Sequence, residues 1–394
     1  MKKIFVVMML GLLFVAASFG QAEFDKYVGQ YQVTGVPLVI TVTADGGKLS
    51  IQATGQPKAD LELVSGEIYA MKGTAIKFTF QKDAAGKVTG MIVHQAPGVD
   101  VPATKINSSS EAPRDKSPHK SGSVTANGIK MHYLDWGGTG DVIIMLTGFG
   151  NDAHVFDDFA PSFTDKFHVI GLTRRGFGET DRPASGYDTA TRVEDVRAFM
   201  DALKITRATL VGHSLAGDEM TLFANLYPKR VIKLVYLDGA YDRTTNFSCT
   251  EELPDGAGPP SAIRMMREAM NCPGWADMIV NDMPPPDLYN VQVSTMRSAL
   301  QFRPPYKTIM TPALAIYADA DVVQAGGNLD EEKRKKMDAF WKEKRAPMAR
   351  ASIEQFRKEM KNGRAVEIKG ATHYVFVGGS KDQVITLVRD FLAK

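Results

Sequence analysis

The chain has 394 residues, more than one folded domain usually contains, so its length favours two folded units. Hydrophobic residues make up 44% and charged residues 23%, which matches a soluble globular protein and excludes the disordered and fibrous classes. The formal net charge is only +2, and the sequence has no clustered basic stripe outside the mixed-charge run from Asp330 to Lys344, so nucleic acid is not expected as a partner.

Residues 1–20 predict a secretory signal peptide. Two lysines precede the apolar run from Ile4 to Phe19, and Ser18 and Gly20 stand three positions and one position before the expected cleavage point. A membrane anchor is the alternative, but the run is shorter than the ~20 residues of a membrane span and no stop-transfer flank follows it. We expect an exported protein, periplasmic or secreted, without stable membrane insertion after cleavage.

Residues 23–106 predict a small all-β accessory domain, because short runs in this region alternate apolar and polar residues. Turn signals at Asp45–Gly47 and Ala85–Lys87 suit tight hairpins that need residues tolerant of positive φ. We expect a meander or a partly closed barrel. The predicted strands are Gly29–Val33, Leu38–Thr43, Lys48–Ala53, Ala75–Gln81 and Val88–His94.

Two segments of this region, Phe24–Tyr31 and Gly90–Gln95, resemble the lipocalin-like domain that is often appended to exported serine β-lactamase-like enzymes. That resemblance implies a fold and no established chemistry. The one histidine on these strands, His94, is predicted to be a surface or core residue and not a ligand.

Residues 107–122 contain almost nothing that could be buried and predict a flexible linker. From Ser123 onward, strands alternate with amphipathic helices, beginning with a hairpin at Asn127-Gly128, which is typical of an α/β domain with a mainly parallel sheet. The predicted strands are Val142–Leu146, His168–Leu172, Thr209–Gly212, Leu234–Leu237, Ala313–Tyr317 and Ala365–Ile368. The predicted helices are Thr191–Leu203, Leu215–Tyr227 and Lys381–Leu392.

The segment Leu210–Gly217 places a serine, Ser214, where a strand ends and a helix begins. This pattern predicts a nucleophile elbow, a strained turn that lifts the hydroxyl above the sheet. Strand and helix approach closely there, so the residues two positions away must be small, as Gly212 and Ala216 are. The usual pattern has glycine at the later position, and Ala216 departs from it by one methyl group.

The elbow follows a segment, Gly138–Pro183, that resembles the first half of an α/β-hydrolase, including its Arg-Gly-Phe-Gly run. The resemblance spans residues 123–394 and implies a catalytic α/β-hydrolase domain with a cap at about 241–310. It also implies that the backbone N–H groups of Phe149 and Leu215 form the oxyanion hole. Thr147 stands where the family usually has histidine, but the donors are backbone groups, so we expect the hole to be retained.

A serine nucleophile needs a general base, and the family order matches His373, which follows the last predicted strand. Three residues could supply the acid that orients this histidine. Asp321 matches the family's usual position and is preferred, while Asp319 could serve or could cap the turn. Asp238, at the end of the preceding strand, occupies a position that some members use. His213 is expected to pack within the elbow with its side chain turned away from the hydroxyl.

Export makes a disulfide between Cys249 and Cys272 a candidate, with two free thiols as the alternative. Five methionines in the cap could line an apolar pocket or could simply pack within the cap: Met265, Met266, Met270, Met278 and Met283. The charged insertion from Asp330 to Lys361 is expected to be a solvated surface helix, with a substrate clamp as the alternative.

Serine at the elbow argues against the family branches that use an aspartate nucleophile, the epoxide hydrolases and haloalkane dehalogenases, and leaves acyl chemistry on a small-molecule substrate. No cofactor is expected, and no metal, because the seven histidines show no paired ligand spacing in the sequence. The leading hypothesis is a carboxylic-ester hydrolase. A serine peptidase or amidase, and a non-catalytic binding protein that has kept the fold, are the alternatives; substrate and oligomeric state are left open.

Overall fold

The structure is a computed structural model that describes residues 24–34, 38–45, 47–53, 58–72, 76–96, 99–107, 117–245, 248–254, 257, 260–280, 283–323 and 331–394. The chain divides into two compact units, and the division falls between Arg114 and Asp115. The predicted signal peptide and residues 108–116 of the predicted linker lie outside the described residues.

The first unit is a closed barrel of eight antiparallel strands in chain order, in which the first strand pairs with the last. The strands are β1 (Gly29–Val33), β2 (Val39–Asp45), β3 (Lys48–Ala53), β4 (Ala59–Ser65), β5 (Ile68–Met71), β6 (Lys77–Lys82), β7 (Val88–Ala96) and β8 (Val99–Asn107). Eight strands enclose an interior of about the width that side chains can fill. Aromatic rings from several strands meet there, with the Tyr27 and Phe80 centroids 4.4 Å apart. The all-β prediction is therefore confirmed, and the barrel is closed.

The second unit is built on an eight-stranded, mostly parallel sheet in the spatial order β16-β15-β14-β13-β11-β12-β10-β9. Its strands are β9 (Lys120–Ala126), β10 (Ile129–Gly137), β11 (Val142–Leu146), β12 (His168–Leu172), β13 (Ala208–His213), β14 (Val231–Leu237), β15 (Ala313–Tyr317) and β16 (Gly363–Glu367). The central strands are buried along nearly their whole length, which explains their continuous apolar sequences.

The helices of this unit cover the sheet and supply the cap. They are α1 (Thr189–Ala202), α2 (Ala216–Leu226), α3 (Pro260–Ala269), α4 (Pro286–Gln301), α5 (Glu331–Phe340), α6 (Ala346–Glu359) and α7 (Lys381–Leu392). A π-helical segment, Trp341–Arg345, joins α5 to α6. Helices α3 and α4 lie in the predicted cap region. Within the described residues, no helix combines the length and apolar character needed to cross a bilayer.

The predicted linker ends earlier than the sequence suggested. Strand β9 already begins at Lys120 and pairs with β10 through the predicted hairpin, in which Asn127 and Gly128 both have positive φ. Just before β9, Ser117 is buried and its hydroxyl accepts a hydrogen bond from the Trp136 indole at 2.9 Å. Ser117 can be buried because this hydrogen bond satisfies its hydroxyl group. Composition alone cannot reveal such a contact.

Candidate active site

Ser214 lies in a strained turn between β13 and α2. Its φ is +54°, a value that residues with a side chain adopt rarely and mostly at functional sites. A Cβ on Gly212 would lie 2.1 Å from the Met220 sulfur, and one on Gly217 would lie 1.9 Å from the carbonyl oxygen of Gly239. The small residues around the elbow are therefore required by the close approach of strand, helix and the neighbouring β14 turn.

His373 contacts Ser214 on one side and a carboxylate on the other. Its Nε2 lies 2.9 Å from the Ser214 hydroxyl oxygen, and its Nδ1 lies 2.6 Å from Oδ2 of Asp238. With the Nδ1 proton donated to Asp238, Nε2 is the free acceptor that faces the serine hydroxyl. This is the geometry of a nucleophile, a general base and an orienting acid.

Asp238 is held in place on every side. It is buried and has a φ of +47°, and its Oδ1 accepts hydrogen bonds from the Ala318 backbone N–H at 2.9 Å and from the Tyr241 hydroxyl. Burial, together with the adjacent Asp238 charge, raises the pKa of Tyr241 well above its ordinary value, so this phenol remains a hydrogen-bond donor. Both oxygens of the Asp238 carboxylate therefore accept hydrogen bonds.

The preferred acid, Asp321, does not lie beside His373. Its carboxylate is exposed and pairs with Arg350 on helix α6. Asp319 is buried, and its two oxygens accept the backbone N–H groups of Asp321 at 3.0 Å and Gly370 at 2.8 Å. Asp319 therefore caps its own turn and anchors the loop that carries His373, and the structure places Asp238 at the position expected for Asp321.

The predicted oxyanion loop approaches the serine. A Cβ on Gly148 would lie 2.7 Å from Nδ1 of His213 and 3.2 Å from the Ser214 Cβ, so a larger residue would crowd the elbow. Behind the loop, the buried Arg174 donates to the Thr147 carbonyl oxygen at 2.8 Å and pairs with Glu219 of α2 at 2.9 Å. Among the described residues, the backbone N–H groups of Phe149 and Leu215 have no acceptor, so both donors can face a substrate.

His213 does more than pack within the elbow. Its side chain is buried, and its Nε2–H donates to the carbonyl oxygen of His373 at 3.1 Å. Burial, reinforced by the nearby His373, lowers the pKa of His213 well below its ordinary value, so the ring is neutral at pH 7. His213, the residue beside Ser214, thus holds the backbone of the loop that carries His373.

A pocket of about 300 Å³ opens onto Ser214 and His373. Its far wall comes from the π-helical segment and α6, through Trp341, Arg345 and Met348. The expectation that residues 330–361 form only a solvated surface helix is therefore wrong. The charged face of this insertion is exposed, but its opposite face turns toward the active site, where Trp341 donates to the Ala320 carbonyl oxygen at 2.8 Å.

The cap methionines lie elsewhere. Met265 is buried with Tyr289 and Val293 of α4, and this cluster contacts Phe149 of the oxyanion loop. None of the five cap methionines is among the residues that line the described pocket. Met266 and Met283 pack against the same cluster as Met265, which through Phe149 supports the loop beside Ser214.

Cys249 and Cys272 form a disulfide within the cap. Arg267 of α3 donates to the Cys249 carbonyl oxygen at 3.0 Å, and the nearby Glu251 pairs with Arg345 at 2.9 Å. The disulfide therefore joins the end of α3 to the segment around Cys249. Glu251 of that segment holds Arg345, which lines the pocket.

Two family models match the chain. One, described as alpha/beta hydrolase fold, matches residues 141–385, and one described as a domain of unknown function (DUF3471) matches residues 15–107. The first match covers more than half of the chain and contains the elbow, the oxyanion loop and His373.

Curated relatives match a shorter stretch. Epoxide hydrolase 4 of Mus musculus is 28% identical over 118 residues, which are 29% of this chain and 33% of the relative. A non-heme chloroperoxidase of Streptomyces lividans is 34% identical over 115 residues, 28% of this chain and 42% of the relative. The matched stretches span less than half the length of these relatives. Among solved structures, the enol-lactonase from Burkholderia xenovorans LB400 is 20% identical with a TM-score of 0.48, covering 69% of this chain and 100% of that one.

Proposed function

The chain belongs to the alpha/beta hydrolase fold family, and we propose that it is an exported serine hydrolase that cleaves an ester or similar acyl bond of a small molecule. The observation that carries the proposal is the position of His373, whose two ring nitrogens contact the Ser214 hydroxyl at 2.9 Å and the Asp238 carboxylate at 2.6 Å. A histidine on a structural loop has no need of both contacts.

The reaction follows from this geometry. His373 Nε2 accepts the hydroxyl proton as the Ser214 oxygen attacks the substrate carbonyl carbon, and Asp238 stabilises the imidazolium that forms. The proton then passes from His373 to the leaving group as the bond between the acyl carbon and that group breaks. Water, deprotonated by the same nitrogen, hydrolyses the acyl-enzyme and restores the serine hydroxyl.

Negative charge develops on the carbonyl oxygen in both steps, and the N–H groups of Phe149 and Leu215 are proposed to bind it. Losing one such donor typically costs ~3 kcal/mol of transition-state stabilisation. Arg174 supports this role indirectly, because its hydrogen bond to the Thr147 carbonyl oxygen sets the backbone that carries one donor.

The serine favours acyl transfer over the epoxide hydrolysis for which some relatives are named, since the epoxide-opening branches of the family use an aspartate nucleophile. The pocket arginines do not favour a charged substrate. Arg243 pairs with the buried Asp218, and Arg345 pairs with Glu251, so both positive charges are already matched within the protein. An uncharged acyl compound small enough for the pocket is the expected substrate.

The decisive experiment is labelling with a fluorophosphonate probe, which reacts with activated serines. Wild-type protein should be labelled, and Ser214→Ala should not, whereas Ser248→Ala, which removes an exposed serine of the cap, should be labelled normally. A folded wild-type protein that is not labelled would leave only a non-catalytic role. Ester and amide substrates with the same acyl group would then separate esterase from amidase activity.

Export is a separate part of the proposal. It is supported by the sequence of residues 1–20 and is compatible with the disulfide in the cap, because oxidising compartments preserve such bonds. Mass spectrometry of protein recovered outside the cytoplasm should give a chain that begins at Gln21. Recovery with Met1 still attached would contradict cleavage.

A further inference from the structure

Three side chains that take no part in the proposed reaction converge beside the first strands of the second unit. His119 precedes β9, while His154 and Asp157 lie in and just after a short 3₁₀ helix, Ala153–Phe156, that follows the oxyanion loop. Their ligand atoms all lie within 4.8 Å of one another. Asp157 Oδ2 is 3.0 Å from His154 Nδ1, and Asp157 Oδ1 is 3.5 Å from His119 Nδ1.

These distances suit a bound metal ion. Zinc lies ~2.1 Å from nitrogen and oxygen ligands in tetrahedral sites, so two ligands of one ion are ~3.4 Å apart. The two measured separations lie on either side of this value, and the third pair can reach it by small side-chain rotations. Each carboxylate oxygen faces a different imidazole.

The burial and the charge of these side chains also favour a bound cation. The side chains of His119 and Asp157 are 2% exposed, and that of His154 is 13% exposed. The ion pairs of Asp157 within the described residues are with these two histidines, and its Oδ1 has no hydrogen-bond partner there. A buried carboxylate is costly unless a positive charge compensates it, and a bound cation would supply that charge.

We propose that His119, His154 and Asp157 bind a divalent transition-metal ion of the zinc type. Two imidazoles and one carboxylate favour zinc over the hard cations magnesium and calcium, which prefer oxygen ligands. The fourth position is left to water, which reaches the site past the partly exposed His154. The ion would tie the start of the second unit to the turn that follows the oxyanion loop, and so would stabilise the unit without entering the reaction.

The test is calorimetric titration of metal-stripped, untagged full-length protein with zinc sulfate. One zinc ion should bind per chain, binding should be lost in Asp157→Asn and in His154→Gln, and magnesium should not compete. The control is His168→Gln, because His168 forms a pair with Asp135 at 2.9 Å in the same unit, and the part of the chain that the structure describes places no third ligand beside them. This variant should keep the full stoichiometry.

Two further measurements make the result independent of hydrolase activity. Cobalt in place of zinc should give the visible absorption of a tetrahedral nitrogen and oxygen site in the wild type. Zinc at a hundredfold excess over its Kd should raise Tm by roughly 5 °C. Should Asp157→Asn fail to fold, the single change His119→Gln decides the matter in the same titration. Failure of the wild type to bind zinc, or binding that survives these substitutions, would overturn the proposal.

Discussion

The carboxyl ends of β14 and β15 carry the same kind of residue with different consequences. Asp238 follows β14, while Asp319 and Asp321 follow β15. Asp238 is buried, has a positive φ and contacts His373, whereas Asp321 is exposed and pairs with Arg350. The two strands are neighbours in the sheet, so strand identity alone does not explain the difference.

The distance of each strand from Ser214 explains why Asp238 and Asp321 differ. Neighbouring strands lie ~4.8 Å apart, and Ser214 follows β13, which pairs directly with β14. Asp238 is therefore one strand away from the nucleophile, and the aspartates after β15 are two strands away. The His373 loop comes from β16 at the sheet edge and crosses both ends, resting on Asp319 and meeting Asp238 before it reaches Ser214.

The largest effect is expected from Asp238→Asn. An amide cannot stabilise the imidazolium and can hold His373 in the wrong tautomer, so kcat should fall by about 10⁴-fold. Steady-state kinetics on an activated ester would measure this, with folding checked by circular dichroism. A loss of less than tenfold would mean that Asp238 is not the acid.

A smaller effect is expected from Asp319→Asn, which weakens the anchor of the His373 loop. Burial acts to raise the pKa of Asp319, but the N–H groups of Gly370 and Asp321, with Lys369, outweigh it and lower the pKa below its ordinary value of 3.8. The ionised carboxylate thus stabilises the fold above pH 3.8, and this contribution is lost as the pH falls through the lower folded value.

At pH 7 this substitution should cost about 2 kcal/mol of unfolding free energy, because it weakens charge-assisted hydrogen bonds. Thermal melts of the wild type and the variant should converge as the solution is made more acidic. A constant difference in Tm between pH 7 and pH 3 would contradict the role assigned to the carboxylate charge.

His213 also holds the loop that carries His373, and its substitution should have a smaller effect still. His213→Phe removes the hydrogen bond to the His373 carbonyl oxygen and should lower kcat about fivefold, the equivalent of ~1 kcal/mol. His213→Gln keeps a donor and should recover most of the activity. Equal losses in the two variants would show that ring packing, not the hydrogen bond, is what matters.

The smallest effect is expected from Asp321→Asn. Both Asp321 and its partner Arg350 are exposed, and exposed ion pairs contribute little to stability. Activity should stay within about twofold of the wild type and Tm should not change measurably. Loss of hydrolysis in this variant, with activity retained in Asp238→Asn, would restore Asp321 as the acid.

Much of the fold could be predicted, because its central strands carry a strong local signal. The bounds of β1, β3, β11, β12 and β15 agree with the sequence prediction. Strand β4 was missed although Ala59–Leu63 alternates apolar and polar residues, and Leu61 is its one buried residue, so this alternation does not mark a fully buried face. The second wall of the pocket was missed for a different reason. Trp341 and Met348 end two short apolar stretches, Ala339–Trp341 and Ala346–Met348, within a strongly charged segment, and only packing shows which side they face.

The sequence by itself determined the elbow at Ser214 and the position of His373, because a nucleophile turn needs small residues at fixed spacing and the base follows in chain order. The tertiary structure decided the partner of the base. Spacing along the chain cannot show that β14, not β15, lies beside β13, nor that two aspartates in similar turns differ in burial. The same reason applies to His119 and Asp157, which are far apart in sequence and meet only because the fold brings the residue before β9 close to the turn after β11.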